Sequence, residues 1–280
     1  MEAPGRIWFG YIAAVAIALV GLVTLDLLAI GLAALVLVAT VLGEWYRGRQ
    51  AALAVAAQDA DLPELVSRWA RGWAYSRGFP RPEAVPGGVR VEVSEPGRRV
   101  EWVTTDAPDT LAGLVDTARA TPEAWLSVVT DSPGGVRPWF AEGGLQVDGE
   151  EALMSIDLAD HGSRELPDGY RAEVEREGGI IVVTVRSGET AAATGRIAVI
   201  GTDAVADRIQ TDPEHRRRGL GGAVMGLLVS AAREAGAVRG LLVASETGEP
   251  LYAGLGWHAE ARVVMARSAA PPTSVESRHG

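Results

Sequence analysis

The sequence predicts an α/β domain preceded by a pair of membrane-crossing helices. Three observations carry this. Residues Ile7 to Gly43 are nearly all apolar, with Asp26 the one charge among them. From Tyr170 onward, four stretches alternate as strands do, with Gly178-Gly179 and Ser187-Gly188 as turn signals. The fourth stretch runs into a glycine-rich turn that opens a helix with one apolar face.

Composition narrows the function classes. The chain has 280 residues, 48% hydrophobic, which excludes wholesale disorder. It has no Cys, so a disulfide scaffold, a thiolate-ligated metal and a thiol nucleophile are excluded. It also has no Lys and no Asn; all 26 basic residues are Arg. That removes a Walker A lysine, a Schiff-base lysine and any N-glycosylation site. A net charge of −10 argues against a general nucleic-acid binder, so no nucleic-acid partner is expected. Asp160, His161, Ser163 and Glu165 cluster in sequence, but their spacing fits no ligand pattern, and no metal is expected.

The N-terminal run, residues 1–50, reads as a transmembrane hairpin. It is longer than the apolar core of about 7–15 residues in a signal peptide. As one helix it would extend roughly 54 Å, against a hydrocarbon core of about 30 Å. Two spans, Ile7–Val23 and Leu27–Gly43, place Asp26 at the turn and avoid a mid-bilayer charge. Trp8 and Tyr11 at one end, with Trp45 and Tyr46 at the other, suit the interfaces. Arg6, Arg47 and Arg49 flank the run, which puts both ends in the cytoplasm. A single span through Asp26 is the runner-up, and a fully buried soluble hairpin a lesser alternative, since no segment downstream looks able to wrap it. The lipid bilayer is thus an expected partner, and the cell membrane the expected location.

Residues 51–164 read as an N-terminal α/β segment. Leu62, Leu65, Val66, Trp69 and Trp73 recur at helical steps, with Arg68, Arg71 and Arg77 off that stripe. Gly78-Phe79-Pro80 ends the helix. Val89–Val93 and Val100–Val103 alternate as strands around a Pro96-Gly97 turn. Thr105 to Pro108 starts a helix to about Arg119, and Thr121-Pro122 reads as the start of another. The tryptophans read as core and His161 as part of a polar linker.

Residues 165–268 carry the chemistry, with a flexible tail from 269 to 280. The strands are Tyr170–Glu175, Ile180–Arg186, Ala191–Ile200 and Ala204–Thr211. Then comes Arg216-Arg217-Arg218-Gly219-Leu220-Gly221-Gly222, and a helix whose Val224, Leu227, Leu228 and Ala231 share a face up to Gly236. Such a turn presents free N–H groups and the positive end of a helix dipole to an anion. Gly240–Ser245 reads as a short buried strand. Leu251-Tyr252-Ala253-Gly254-Leu255-Gly256-Trp257 follows as a short helix, and Ala261–Met265 as a final strand.

These last motifs resemble the GNAT superfamily of acetyl-CoA-dependent N-acetyltransferases. Arg216 to Gly221 matches its Q/R-x-x-G-x-G/A motif, and Leu251 to Trp257 its L-Y-x-x-L-G-F motif with Trp for Phe. Arg71-Gly72-Trp73-Ala74 and Ser76-Arg77-Gly78 resemble the N-terminal half of some actinobacterial members, which would make residues 51–164 a degenerate GNAT half. The resemblance implies a mixed, largely antiparallel sheet flanked by helices. It implies acetyl-CoA as co-substrate, its pyrophosphate held by Arg216, Arg217, Arg218, Gly219, Leu220, Gly221 and Gly222. Ile209, Gln210 and Thr211 would bind the pantetheine arm as an added strand does. Tyr252 would protonate the departing thiolate. Ser245 and Gly248 depart from the Asn and Ala common in the family. The general base is left open, with Asp207 and Glu246 as candidates.

The expected function is therefore membrane-tethered N-acetyl transfer to an amine, small-molecule or protein, with the domain cytoplasmic. A non-catalytic acetyl-CoA-binding sensor or assembly module is the alternative, as is a membrane hairpin that is itself the functional core. A homodimer stays open.

Overall fold

The computed structural model describes residues 61–162 and 164–268. The predicted spans and the tail lie outside them; among the described residues no helix is long and apolar enough to cross a membrane.

The order begins with helix α1 (Leu62–Arg77), strands β1 (Glu83–Val85), β2 (Gly88–Glu95) and β3 (Arg98–Thr105), helix α2 (Pro108–Ala120), β4 (Ala124–Thr130), α3 (Pro133–Glu142) and β5 (Leu145–Asp157). Then come β6 (Arg171–Glu177), β7 (Ile180–Ser187), β8 (Thr190–Ile200), β9 (Asp203–Thr211), α4 (Leu220–Glu234), β10 (Arg239–Ala244), α5 (Glu249–Ala253) and β11 (His258–Ser268). Local chemistry sets several boundaries. Asp61 caps α1 by accepting from the Glu64 N–H at 2.9 Å, and Gly78 ends it in the left-handed region. The helix expected after Thr121-Pro122 is not there. Ala124–Thr130 forms a strand instead, because its apolar side chains are claimed by both neighbours, β3 and β11.

The eleven strands of the described residues form one sheet in the order β1-β2-β3-β4-β11-β5-β10-β9-β8-β7-β6. Only β3/β4 and β9/β10 are parallel, so the sheet is mixed and largely antiparallel. A pattern repeats within it. Strand, helix, parallel strand, helix and long strand occur as β3-α2-β4-α3-β5 and again as β9-α4-β10-α5-β11. Each long strand pairs with the other repeat: β11 beside β4, β5 beside β10, and the two against each other at the centre. The described parts of residues 51–164 and 165–268 therefore share one sheet, and neither segment has a complete sheet of its own.

Helix α1 lies across one face, touching β2 and β3 on one side and β8 and β9 on the other. A Cβ on Gly72 would stand 2.1 Å from Val205 Cγ2, so the close approach of α1 to β9 requires glycine there. Two arginines read as lying off the apolar stripe are what anchor the helix. Arg68, 7% exposed, makes a two-pronged pair with Asp203 at the start of β9, and Arg77 pairs with Asp207 further along it. Helices α2 and α3 pack over one part of the sheet, and α4 over β7 to β9.

Removing one partner of a buried ion pair strands the other charge. Arg68→Ala is expected to lower unfolding stability by about 3 kcal/mol in urea titration. Glu64→Ala, whose exposed carboxylate reaches Arg68 only at 4.0 Å, should cost less than about 1 kcal/mol.

Candidate active site

The two parallel pairs differ, and the difference makes a cleft. Strands β3 and β4 stay paired from Val100 opposite Ala124 to Thr105 opposite Val129. Strands β9 and β10 pair only from Asp203 opposite Arg239 to Val205 opposite Leu241. Beyond Val205 they part. The cause lies in β9: between Asp207 and Gln210 it holds one residue more than β8 does opposite, and Arg208 sits in the left-handed region with φ 53°. Such a bulge bends its strand and increases local twist. The edge of β9 from Ala206 to Thr211 that faces β10 is left without a strand partner, and Ile209, Gln210 and Thr211 lie on it.

A short turn (Pro213–His215) then leads into the arginine–glycine loop. Arg217 has φ 63° and Gly219 φ 81°, so the loop turns its amides to one side before α4 begins at Leu220. The N–H groups of residues 217 to 222 find no acceptor among the described residues, and that of Ala223 is the first claimed, by the Gly219 carbonyl at 3.1 Å. Residues 216 to 219 are exposed. Around them, Arg216, Arg217 and Arg218 form no ion pair among the described residues. Arg216 Nε donates to the Thr211 carbonyl at 3.4 Å; Arg218 donates to the Tyr170 hydroxyl at 3.1 Å, which is tied to His215. Arg164 packs against Gly222 at the same helix end; a Cβ there would stand 2.5 Å from its Cδ. Sequence reading missed Arg164, which lies in an irregular segment without a motif. Together, free amides, helix dipole and guanidinium groups can hold a polyanion.

At the fork of β9 and β10 lies a cavity of about 570 Å³. Asp207 to Gln210 line one side, and Val243 to Ser245 the other. Tyr252, 9% exposed on α5, faces it with its ring edge-on to Trp257 at 6.2 Å. Burial, with the charges of Asp207 and Glu151 added, pushes its phenol up to about 12. Gly248 clears space for that ring: a Cβ there would lie 3.3 Å from Tyr252 Cε2. Ser245 accepts the N–H groups of Gly248 and Glu249 on its carbonyl, both at 2.9 Å, and so starts α5. Leu251 joins cavity to loop, since it lines the first and would meet a Cβ on Gly221 at 3.0 Å.

The remaining walls come from the N-terminal segment: Trp69, Trp73 and Arg77 of α1, Arg98 and Glu101 of β3, Trp125 and Ser127 of β4, and Glu151 of β5. Of the two candidate bases, Asp207 is held by Arg77 at 2.5 and 2.9 Å and by Ser76 at 3.0 Å. Glu246 is exposed and does not line the cavity. His161 is half-buried, edge-on to Trp257 at 6.3 Å, and burial lowers its pKa. Among the described residues no group of three His, Asp or Glu is placed to hold a metal.

Residues 150–257 match the Acetyltransferase (GNAT) family. The match supports an acyltransferase over that stretch. The fold is similar to that of a GCN5-related N-acetyltransferase from Kribbella flavida, 18% identical, with a TM-score of 0.56 over 74% of this chain and 96% of that one. A GCN5-related N-acetyltransferase from Sphaerobacter thermophilus is 12% identical, with a TM-score of 0.48 over 65% of this chain and 78% of that one. No curated protein matches the chain. The GNAT match ends at Trp257, the last residue of the Leu-Tyr motif, and contains the loop, the fork and Tyr252.

An unfolded tyrosine ionises near 10. With the folded phenol at about 12, the neutral form is favoured by folding. That stability is present below pH 10 and is lost as pH rises from about 10 through about 12. In alkaline ultraviolet titration, one tyrosine should ionise late, and Tyr252→Phe should remove that step.

Proposed function

We propose that the domain transfers the acetyl group of acetyl-CoA to an amine, with the loop at residues 216–222 as the pyrophosphate site and Tyr252 as the acid toward the leaving sulfur. The observation that carries this reading is the run of unclaimed amides at residues 217 to 222 beside a forked pair of parallel strands. A diphosphate satisfies those donors and meets the positive end of the α4 dipole. Arg216, Arg217 and Arg218 supply charge around it. The free edge of β9 at Ile209, Gln210 and Thr211 offers main-chain groups to the amides of the pantetheine arm, as to an added strand. That path leads the thioester to the cavity.

There the chemistry needs three things: a neutral amine, a donor for the oxyanion and a proton for sulfur. The amine nitrogen forms a bond to the carbonyl carbon, a backbone N–H at the fork holds the oxyanion, and the C–S bond then breaks toward the thiol. Tyr252 is in the right form for the last step, because its raised pKa keeps the phenol protonated at every physiological pH. Against a thiol near 8.5, full transfer from a phenol near 12 is uphill by roughly 3–4 pK units, or about 5 kcal/mol. Tyr252 therefore acts first as a hydrogen-bond donor to the sulfur and gives up its proton late.

The apolar run Ile7–Gly43, with arginines on both flanks, supports a membrane tether that leaves the domain on the cytoplasmic side, where acetyl-CoA is made and used.

Calorimetry with acetyl-CoA and a thiol-release assay across amines test the reading. Tyr252→Phe should lower kcat at least about tenfold with the Kd for acetyl-CoA nearly unchanged; an unaffected rate removes Tyr252 from the role. Gly221→Glu should do the reverse and abolish binding, since its carboxylate would face the diphosphate. Retained affinity would place the anion elsewhere.

A further inference from the structure

The three arginines before α4 are not held alike. Arg216 gives one long bond, to the Thr211 carbonyl at 3.4 Å, and the Arg217 side chain donates to no group among the described residues. Arg218 is held at two points. Its Nη1 donates to the Tyr170 hydroxyl at 3.1 Å and its Nη2 to the Glu214 carbonyl at 3.3 Å. Both anchors are neutral. In the neighbouring cleft the guanidinium groups sit on carboxylates instead: Arg77 on Asp207, Arg98 on Glu101 and Arg208 on Glu95. A carboxylate partner cancels the charge that an incoming anion needs. A hydroxyl and a carbonyl fix the guanidinium and leave its charge free.

Tyr170 is itself fixed from two sides. It ends the turn before β6, where Gly169 has φ 82° and the Tyr170 N–H donates to the Pro167 carbonyl at 3.4 Å. Its ring is half-buried against the core that α4 covers. On the other side stands His215, whose N–H donates to the Asp212 carbonyl at 2.9 Å. The two rings meet edge-on at 5.7 Å, with the hydroxyl 2.9 Å from His215 Nδ1. A guanidinium can only donate, whereas a phenol has one proton to give and lone pairs to receive. Every group is satisfied when the hydroxyl accepts from Arg218 and donates to Nδ1, with the imidazole neutral and its hydrogen on Nε2. The chain then runs one way, from guanidinium to hydroxyl to imidazole, and each bond polarises the next.

We propose that Tyr170, oriented by His215, is a positioning residue for the diphosphate: it holds the Arg218 guanidinium in place before acetyl-CoA arrives. This rests on the reading above of the loop as a diphosphate site. A long exposed side chain must otherwise be ordered when the anion binds, and that cost weakens an affinity about three- to tenfold. Tyr170 and His215 remove the cost for Arg218 in advance. No such brace exists for Arg217 among the described residues. The effect of Tyr170 therefore runs through Arg218, and it belongs to coenzyme binding.

The test is a double-mutant cycle on the full-length protein, read by calorimetry with acetyl-CoA. Tyr170→Phe should raise the Kd about three- to tenfold. In an Arg218→Ala background the same substitution should change the Kd by less than about twofold, because the group it positions is gone. An equal penalty in both backgrounds overturns the inference, since Tyr170 then supports the fold and not Arg218. A wild-type Kd in Tyr170→Phe overturns it as well. A wild-type Kd in Arg218→Ala also sinks it, while leaving coenzyme binding intact. Wild-type protein that binds no acetyl-CoA sinks the coenzyme reading itself. Nitrogen-15 spectra of the imidazoles give an independent check: neutral His215 should carry its hydrogen on Nε2, and Tyr170→Phe should remove the bond accepted at Nδ1. A hydrogen on Nδ1 in the wild-type protein overturns the inference. His215→Ala leaves the hydroxyl free to turn, should give the same cycle with Arg218→Ala, and carries the test if Tyr170→Phe does not fold.

Discussion

The separation of β9 from β10 after Val205 is the constraint on which the site depends. Parallel neighbours otherwise stay paired, as β3 and β4 do in the other repeat. Here an extra residue in β9, with Arg208 in the left-handed region, turns the strand away from β10. An unpaired strand edge is costly and prone to unwanted pairing. Its persistence needs something to hold the bent strand from the side. Helix α1 does this, with Arg68 on Asp203 before the fork and Arg77 on Asp207 within it. The pair at Asp207 fixes the fork from the side of the helix.

The repeat explains why one half has a site and the other gives walls. The first copy keeps the topology, but its strands stay closed and its helix α2 begins at Pro108 after Ala107, with no glycine run and no fork. Because β5 is inserted between β10 and β11, it instead brings its own residues to the second copy's fork. The side of the cleft next to the glycine loop is thus built from residues after 203, and the facing wall largely from residues before 152.

Legibility in the sequence follows the same division. The glycine loop, the Tyr252 turn and every strand after 170 were readable, because their signals are local: turns, alternation and a helix face. The strand Ala124–Thr130 was misread because Thr121-Pro122 is a fair helix start, while the pairing that decides the outcome comes from β11, over a hundred residues away. Strand β5 went unread, since Gln146 to Glu151 is polar and its burial depends on both central neighbours. Arg68 and Arg77 read only as lying off the apolar stripe. Their partners, Asp203 and Asp207, are 135 and 130 positions later. Glu151 was hidden for a simpler reason: it follows Glu150, and only the strand's alternation separates a carboxylate bound to Arg137 and Arg262 from one left alone in the cavity.

The buried phenol is also where the two copies meet. Tyr252 is hard to ionise chiefly because it is buried, and the charges of Asp207 from the second copy and of Glu151 from the first add to that. Because β5 lies beside β10, a carboxylate from the first copy bears on a phenol of the second through space, and the raised pKa of Tyr252 depends on both halves of the sheet.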